Sequence, residues 1–376
     1  MTTPKDPLDG TAELDSTALL KAASEAGSAI SDRMLETFRS QHLLPRPRRT
    51  GYRGRTPVWL YPSGTDQQLA CLLRWRSQTK DPDVLRVLLW LDGFPIEAAD
   101  VRDALARYMG RMSQLIEQAV QGEVRELGLS PEDPGARSQA IDQLARTMAA
   151  KRGATPIPRR SRVRADDRAH AVALLIRVFG LGETVEGTPA EGDAAERVLG
   201  IAPNGRRRAI ADTGPWLTGP PEELFSAADI VGLPRLHATV ADASDNDLET
   251  ARQTVVALFR HLPLAARMVS VITGQDNYTG LAPMEQIATQ PEAVMWLLPA
   301  VTAMFKAGWD ENLNTVTAAL QPFPELAARA QAITEMPAAT IEANLAHQPP
   351  EVRERVQRII NAAIDGKLDV NQPETP

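Results

Sequence analysis

A run of prolines and glycines between residues 46 and 57 interrupts a sequence whose apolar residues otherwise follow helical spacing. Proline lacks the amide hydrogen that a helix needs, and glycine favours turns, so this run cannot be helical. Residues 58–61 read Val-Trp-Leu-Tyr, a β-forming sequence that predicts the returning strand of a hairpin. The tip of this hairpin, around residues 51–54, is expected to project Tyr52, Arg53 and Arg55 into solvent.

Two short helical patterns precede the hairpin. The first can be capped by Asp15 or Ser16 and is broken at Gly27. The second covers residues 31–41 and carries its apolar residues on one face. Two short helices joined by a glycine-containing turn predict a helix-turn-helix, and the hairpin that follows is its wing.

Helical patterns continue through the rest of the chain. One helix passes through Leu69 and Leu72, and the next begins at Asp81-Pro82 and ends at Gly93. A long helix covers residues 97–127 with apolar residues near heptad spacing. The other predicted helices cover residues 138–152, 168–179, 245–262, 291–306, 310–320, 324–334 and 350–364. The predicted fold is mainly α, with an N-terminal winged helix-turn-helix, a small β wing and a helical C-terminal region.

Charge is distributed unevenly along the chain. Its 376 residues carry 41 Lys and Arg against 48 Asp and Glu, and the net charge of −7 at face value argues against a nucleic-acid binder. Residues 27–80, however, hold ten Lys or Arg and three Asp or Glu, a local net charge of +7 that leaves −14 on the remainder. Because phosphate neutralisation supplies most non-specific DNA affinity, this segment predicts a DNA-facing surface.

The residue patterns of several other functions are missing from the sequence. The single cysteine, Cys71, excludes an intramolecular disulfide and a Cys-rich metal site. The five histidines are scattered, and the common motifs of hydrolases, phosphate loops and dinucleotide sites are absent, so we expect no enzyme, no metal and no cofactor. The acidic residues between 242 and 249 resemble a calcium loop, but the segment lacks the glycine and the final glutamate that such a loop needs. We therefore interpret these acidic residues as the start of a helix, where negative charge is favourable.

Composition indicates an ordinary soluble protein of two or three domains, with 43% apolar and 24% charged residues. The most continuous apolar stretch, residues 293–305, is shorter than the roughly 20 residues that span a bilayer. The first residues lack the apolar core of a secretory signal. We therefore expect a cytoplasmic protein, associated with the nucleoid if it binds DNA, and no membrane partner.

An ordered set of motifs between residues 14 and 127 resembles the winged helix-turn-helix domain of the MerR family of bacterial transcriptional regulators. The matching pieces are residues 22–31, Leu35, Phe38, and residues 43–46, 49–53, 61–63, 66–69 and 91–97. The resemblance covers about a third of the chain. It implies a DNA-binding domain over residues 14–98, after a flexible leader over residues 1–13. A dimerisation helix over residues 99–129 and a helical effector or partner-binding region over residues 130–376 would follow.

The resemblance also implies which residues contact DNA. Ser31 and Arg33, at the start of the second helix, would face base edges in the major groove. Glu36 departs from the family pattern, which usually has an arginine there, and its carboxylate would repel phosphate. The wing is also longer than is usual in the family. The other implied DNA-binding residues are Thr37, Arg39, Arg46, Arg48, Arg49, Tyr52, Arg53 and Arg55. Of these, the resemblance implies that Arg46, Arg49, Tyr52, Arg53 and Arg55 hold the sugar-phosphate backbone.

The partners implied by the resemblance are double-stranded DNA, RNA polymerase and a second copy of the chain, and the bound DNA would be distorted. No motif indicates a small-molecule effector. One alternative is a protein-interaction adaptor or a DNA-architectural or recombination-accessory protein whose helical C-terminal region carries the function. The long helix can also pack on that region instead of a partner. Two basic clusters, at residues 159–164 and 206–208, are either solvated loops or further contacts with DNA or an acidic partner.

Two smaller expectations concern side chains around the basic segment. Trp59, Trp75 and Trp90 are expected in the core, because a small domain needs large apolar side chains to bury. Arg74 and Arg76 lie on either an exposed helix face or the DNA-binding surface, and the sequence does not separate these two interpretations.

Overall fold

The computed structural model describes residues 14–25, 27–53, 56–133, 135–151, 164–183, 230, 232–273, 290–366 and 368. Within these residues the protein is mainly helical, with one two-stranded antiparallel sheet. The chain divides into two compact units between Tyr108 and Met109, inside the longest described helix. Arg55 and the basic clusters at residues 159–163 and 206–208 lie outside the described residues.

The N-terminal unit contains four short helices, one hairpin and the first part of the long helix. Their bounds are α1 Ser16–Glu25, α2 Asp32–Ser40, β1 Arg48–Arg53, β2 Thr56–Leu60, α3 Thr65–Arg76, α4 Pro82–Leu91 and α5 Ala98–Glu126. The predicted helix boundaries hold to within one or two residues in this unit. Gly110 and Gly122 do not interrupt α5, which is continuous over 29 residues.

Local capping explains where these helices begin. The Ala18 amide donates to the Asp15 side chain at 2.8 Å, so Asp15 caps α1. Ser31 accepts from the Met34 amide at the start of α2, and Asp81 accepts from the Asp83 amide at 2.9 Å before the proline that opens α4. Gly27 follows α1 with a φ of +80°, a left-handed conformation that glycine adopts without strain.

The hairpin pairs β1 with β2 in antiparallel register. Arg48 lies opposite Leu60, Arg49 opposite Trp59, and Tyr52 opposite Pro57. The register shifts between Arg49 and Gly51, so one extra residue sits on β1 as a β-bulge. β1 ends at Arg53 and β2 begins at Thr56, directly opposite it; residues 54–55, part of the predicted tip, lie outside the described residues.

One apolar cluster holds the N-terminal unit together. It brings α1, α2, α3 and α4 around Tyr61, which follows β2 and pairs with Leu14 through an isolated bridge. The buried members are Leu19, Ala23, Leu35, Phe38, Leu43, Leu44, Tyr61, Leu69, Leu72, Leu85 and Leu89. Because α2 and the end of the hairpin contribute to the same core, the fold fixes both elements on one scaffold.

The second unit continues α5 and adds further helices. Their bounds are α6 Ala136–Ala150, α7 Ala165–Leu175, α8 Leu233–Ala241, α9 Asp245–Val256, α10 Leu262–Thr273, α11 Val294–Lys306, α12 Asp310–Leu320, α13 Pro322–Thr334, α14 Ala338–Ala346 and α15 Pro350–Ile364. The described residues of this unit include two buried apolar clusters. Val120, Ile141 and Val172 belong to the first, and Leu264, Ala327 and Ala362 belong to the second.

One helix boundary predicted in the second unit was wrong. The helix predicted to end at residue 262 continues through a π-helical turn, Ala257–His261, into α10. Pro263 follows this wider turn, and its nitrogen has no hydrogen to donate to the preceding turn. A proline usually ends a helix, but here the helix continues through it after the π-helical turn. The short helices α8 and α14 are additional to those predicted from the sequence.

One helical stretch of the described chain, Asp245–Ile272, is long and apolar enough to cross a membrane by length and composition alone. Half of its most apolar window is buried inside the protein, and the core helix of a soluble protein passes the same test.

Candidate nucleic-acid interface

The helix α2 has one buried face and one exposed face. Leu35 and Phe38 point into the core, at 1% and 2% exposure. Arg33 and Thr37, which are four residues apart, lie on the exposed face with Ser31 at its start. The structure therefore brings together three of the residues predicted to contact DNA.

The two hydroxyls on this face have different hydrogen-bonding capacity. The Met34 amide donates to Ser31 Oγ at 3.3 Å, so the Ser31 O–H still has a proton to donate to an external acceptor. Thr37 Oγ1 donates to the Arg33 carbonyl at 2.9 Å, so Thr37 keeps acceptor capacity for an external donor. The helix start thus offers a hydroxyl donor, a guanidinium and a hydroxyl acceptor.

Arg39 is less accessible than the other predicted contacts on α2. Its guanidinium forms an ion pair with Glu36 and lies 5.9 Å from the Tyr61 ring centroid, and 24% of its side chain is exposed. Burial raises the pKa of the Tyr61 phenol, so this ring stays neutral beside the arginine. The ion pair also offsets the charge of Glu36, which reduces the repulsion that this carboxylate would exert on phosphate.

The segment from Arg46 to Tyr52 carries exposed cations. Arg46, Arg48 and Arg49 are exposed, and the Arg49 guanidinium lies 4.2 Å from the centroid of the Tyr52 ring. None of these three, nor Arg33, pairs with a carboxylate among the residues that the structure describes. An exposed arginine without an internal anion is available to an external one, and phosphate suits its planar donors.

Trp59 is not in the core, so the prediction for this residue was wrong. It is 49% exposed, whereas Trp90 is 4% exposed and Trp75 is half-buried. Trp59 lies on β2 and shares its face of the hairpin with the exposed Arg49 opposite it, whereas Trp75 and Trp90 lie on the helices α3 and α4. Sequence reasoning therefore missed Trp59 as a surface residue of the hairpin.

Arg74 and Arg76 are occupied by neighbouring side chains of the N-terminal unit. Arg76 lies 5.4 Å from the Phe38 ring and 3.8 Å from the Met34 sulfur, so it covers the inner side of α2. Arg74 lies 3.6 Å from the Asp92 carboxylate. These contacts favour a role in packing over a place on the DNA-facing surface.

A buried ion network supports the end of α2. Asp83 Oδ1 accepts from Arg86 Nη1 at 3.1 Å and from Arg107 Nη2 at 2.7 Å, and Arg86 also donates to the Gln41 carbonyl just after α2. The side chains of Asp83 and Arg86 are 6% and 8% exposed. The sequence carried a partial signal, because an acid and an arginine three residues apart sit within an otherwise apolar helix.

A second link joins the same segment to α5. His42 Nδ1 lies 3.0 Å from Asp100 Oδ2, and His42 has a φ of +56°, the one non-glycine residue of the described chain in the left-handed region. The loop after α2 is therefore held by α4 on one side and by the first turn of α5 on the other.

The second unit contains an open cavity of about 510 Å³ beside α6 and α7. Its polar lining includes Asp142, Asp166, His170 and Arg177, and Arg177 donates to Asp142 at 3.0 Å. No group of three or more His, Cys, Asp or Glu arranged to hold a metal occurs among the described residues.

Two predicted DNA contacts lie partly or wholly outside the described residues. Arg53 ends β1, but its side chain is not described, and Arg55 lies outside the described residues. Comparison of the chain with protein-family models, with curated proteins and with solved structures finds no match.

Proposed function

We propose that this chain is a DNA-binding transcriptional regulator whose N-terminal unit is a MerR-like winged helix-turn-helix. The observation that carries this proposal is the placement of the exposed arginines. Arg33 on α2 and Arg46, Arg48 and Arg49 at the hairpin extend from one core, and none has a carboxylate partner among the described residues. Such a surface attracts a polyanion, and two elements on one scaffold can contact it together.

The two elements have different roles in this proposal. The start of α2 enters the major groove, where Ser31, Arg33 and Thr37 meet base edges, since arginine can donate two hydrogen bonds to guanine. Arg46, Arg48, Arg49 and Tyr52 contact the sugar-phosphate backbone and fix the register of the protein on the duplex. Arg53 and Arg55 extend this contact along the wing. Arg39, held by Glu36, contributes charge near the backbone and not a base contact.

The long helix α5 is the proposed dimerisation element. Leu115 on this helix is 58% exposed, and Leu127 just beyond its end is 42% exposed. A two-fold dimer would place two α2 helices on a pseudo-palindromic site and would distort the DNA between them. Bending a site of this kind costs on the order of several kcal/mol, which the wing contacts offset. RNA polymerase is the proposed partner at the distorted promoter, in the cytoplasm.

The test is selection of bound duplexes from a random-sequence pool by the full chain. We expect enrichment of one motif with two half-sites related by a two-fold axis. Arg33→Ala should relax the preference at one base pair of each half-site, at a cost of about 1–3 kcal/mol for the lost base contact. Arg49→Ala should weaken binding to all sequences alike, because a phosphate contact carries no sequence information.

The matched control is Arg329→Ala, which removes the same charge from an exposed position on α13 where Arg329 pairs with Glu325. This variant should select the same motif as the parent chain. If the parent enriches no motif and binds random duplex no better than the control protein serum albumin, the chain is not a DNA-binding regulator. The adaptor interpretation would then take its place.

A further inference from the structure

We propose that Arg49, Tyr52 and Trp59 form a binding site for an unstacked nucleobase in locally opened DNA. This inference rests on the proposed DNA-binding function and adds a second kind of contact to it. The site lies on one face of the hairpin, and it includes the tryptophan that sequence reasoning placed in the core.

The strand register places these three side chains on the same face. Arg49 and Trp59 are directly opposite each other across the antiparallel pair, and directly opposite residues project to the same side of a sheet. Without a bulge, residues three apart on a strand would project to opposite sides of the sheet. The bulge adds one residue between Arg49 and Tyr52, so these two side chains project to the same side. The distance of 4.2 Å between the Arg49 guanidinium and the Tyr52 ring centroid agrees with this arrangement.

The two aromatic rings are exposed in a way that ordinary folding does not favour. Tyr52 is 63% exposed and Trp59 is 49% exposed, although burial of aromatic surface is one of the strongest stabilising contributions a side chain makes. Large aromatic groups left together on a surface mark binding sites more often than isolated exposed residues do. The backbone pairing of β1 and β2 holds them in place without a partner.

The chemistry of this surface fits a nucleobase better than an apolar protein segment. An indole or phenol ring stacks on the face of any base, and a guanidinium beside it can meet the adjoining phosphate. Arg46 and Arg48 are exposed in the same segment and add positive charge. A protein partner would instead need carboxylates to match these cations.

The base must be unstacked because a paired duplex hides base faces. In double-stranded DNA each face is covered by the neighbouring base pair, and proteins reach only the base edges in the grooves. Trp59 can therefore stack fully only on a base that has left the helix, as in a mismatch, a bubble or a melted promoter. The site would favour opened DNA over fully paired DNA of the same length and charge.

The experiment compares two labelled DNA probes by fluorescence anisotropy with the full chain. One probe is a fully paired duplex, and the other has the same length with a central run of mismatched bases. The parent should bind the mismatched probe about 10-fold more tightly, within the range of stacking contributions per base. Trp59→Ala should reduce this ratio to about one and leave the affinity for the paired probe nearly unchanged.

Two further variants separate stacking from charge and from folding. Trp59→Phe should keep part of the preference, since phenylalanine also stacks, and Trp59→Ala should leave the salt dependence of binding unchanged. Leu326→Ala, at a residue on α13 with 44% exposure, is the matched control and should keep the full ratio. Circular dichroism of Trp59→Ala should match that of the parent, because an exposed side chain contributes little to the core.

The inference is wrong if Trp59→Ala retains the parent's preference for the mismatched probe, or if the parent shows no preference. In either case salt-dependent binding to the paired probe would leave the proposed regulator intact. If the parent binds neither probe, the proposed function itself fails, so the two failures are distinguishable.

Discussion

Asp83→Ala should lower the free energy of unfolding of the N-terminal unit far more than the loss of one surface ion pair would. The Asp83 carboxylate is 6% exposed and accepts hydrogen bonds from Arg86 and Arg107. Its removal leaves the Arg86 guanidinium, 8% exposed, without the anion beside it. Breaking a buried pair in this way costs about 3–5 kcal/mol, because an uncompensated charge stays in a medium of low polarity.

The companion change at Arg107 should be much milder. Half of the Arg107 side chain is exposed, and Arg107→Ala leaves Asp83 paired with Arg86. A partly exposed pair is screened by water, so we expect a cost of about 1 kcal/mol or less. The contrast between the two alanine variants therefore isolates the effect of burying an unpaired charge.

Amide hydrogen exchange of the full chain, read on peptides from α4, measures this effect without requiring two-state unfolding. A loss of about 3–5 kcal/mol would accelerate exchange in the most protected amides on the order of 10²- to 10³-fold. Peptides covering residues 39–43 should also exchange faster in Asp83→Ala, because Arg86 donates to the Gln41 carbonyl. An acceleration below 10-fold, or an equal effect of Arg107→Ala, would refute the reasoning.

Three further outcomes follow from other contacts. Ser244→Ala removes the hydroxyl of a capping box at the start of α9 and should destabilise that helix by about 1 kcal/mol, measured by exchange in its first turn. Burial lowers the pKa of His261, so the stability that its neutral form contributes is lost as pH falls through the folded value; His261→Leu should flatten the pH dependence of α10 exchange between pH 7 and 5. Gly27→Ala should cost about 1 kcal/mol, read on α1 peptides, because alanine disfavours the φ of +80°.

Local signals made much of the N-terminal unit predictable. Side-chain caps indicate where helices begin, at Asp15, Ser31 and Asp81. The Pro- and Gly-rich run indicates a hairpin, which the structure contains. These features depend on residues close together in the sequence, which is why pattern and composition are enough to find them.

The features that failed depend on contacts between distant residues. The exposure of Trp59 depends on which face of the hairpin the rest of the protein covers. Strand propensity predicts that a residue lies on a strand but not which face of the strand is buried. The continuation of the helix through Pro263 needs a π-helical turn that no local signal announces. The Asp83 network requires Arg107, which is 24 residues away, so the acid and its nearby arginine were not recognised as a buried group.

The salt dependence of duplex binding tests the central claim most directly. The five proposed arginine contacts with phosphate, from Arg46, Arg48, Arg49, Arg53 and Arg55, predict that log affinity falls against log salt with a slope of about −4.5 for each protomer. Arg49→Ala should reduce the magnitude of this slope by about one, while Arg329→Ala on α13 should leave it unchanged. A slope near zero for the parent chain, or an Arg49→Ala variant indistinguishable from it, would contradict the account.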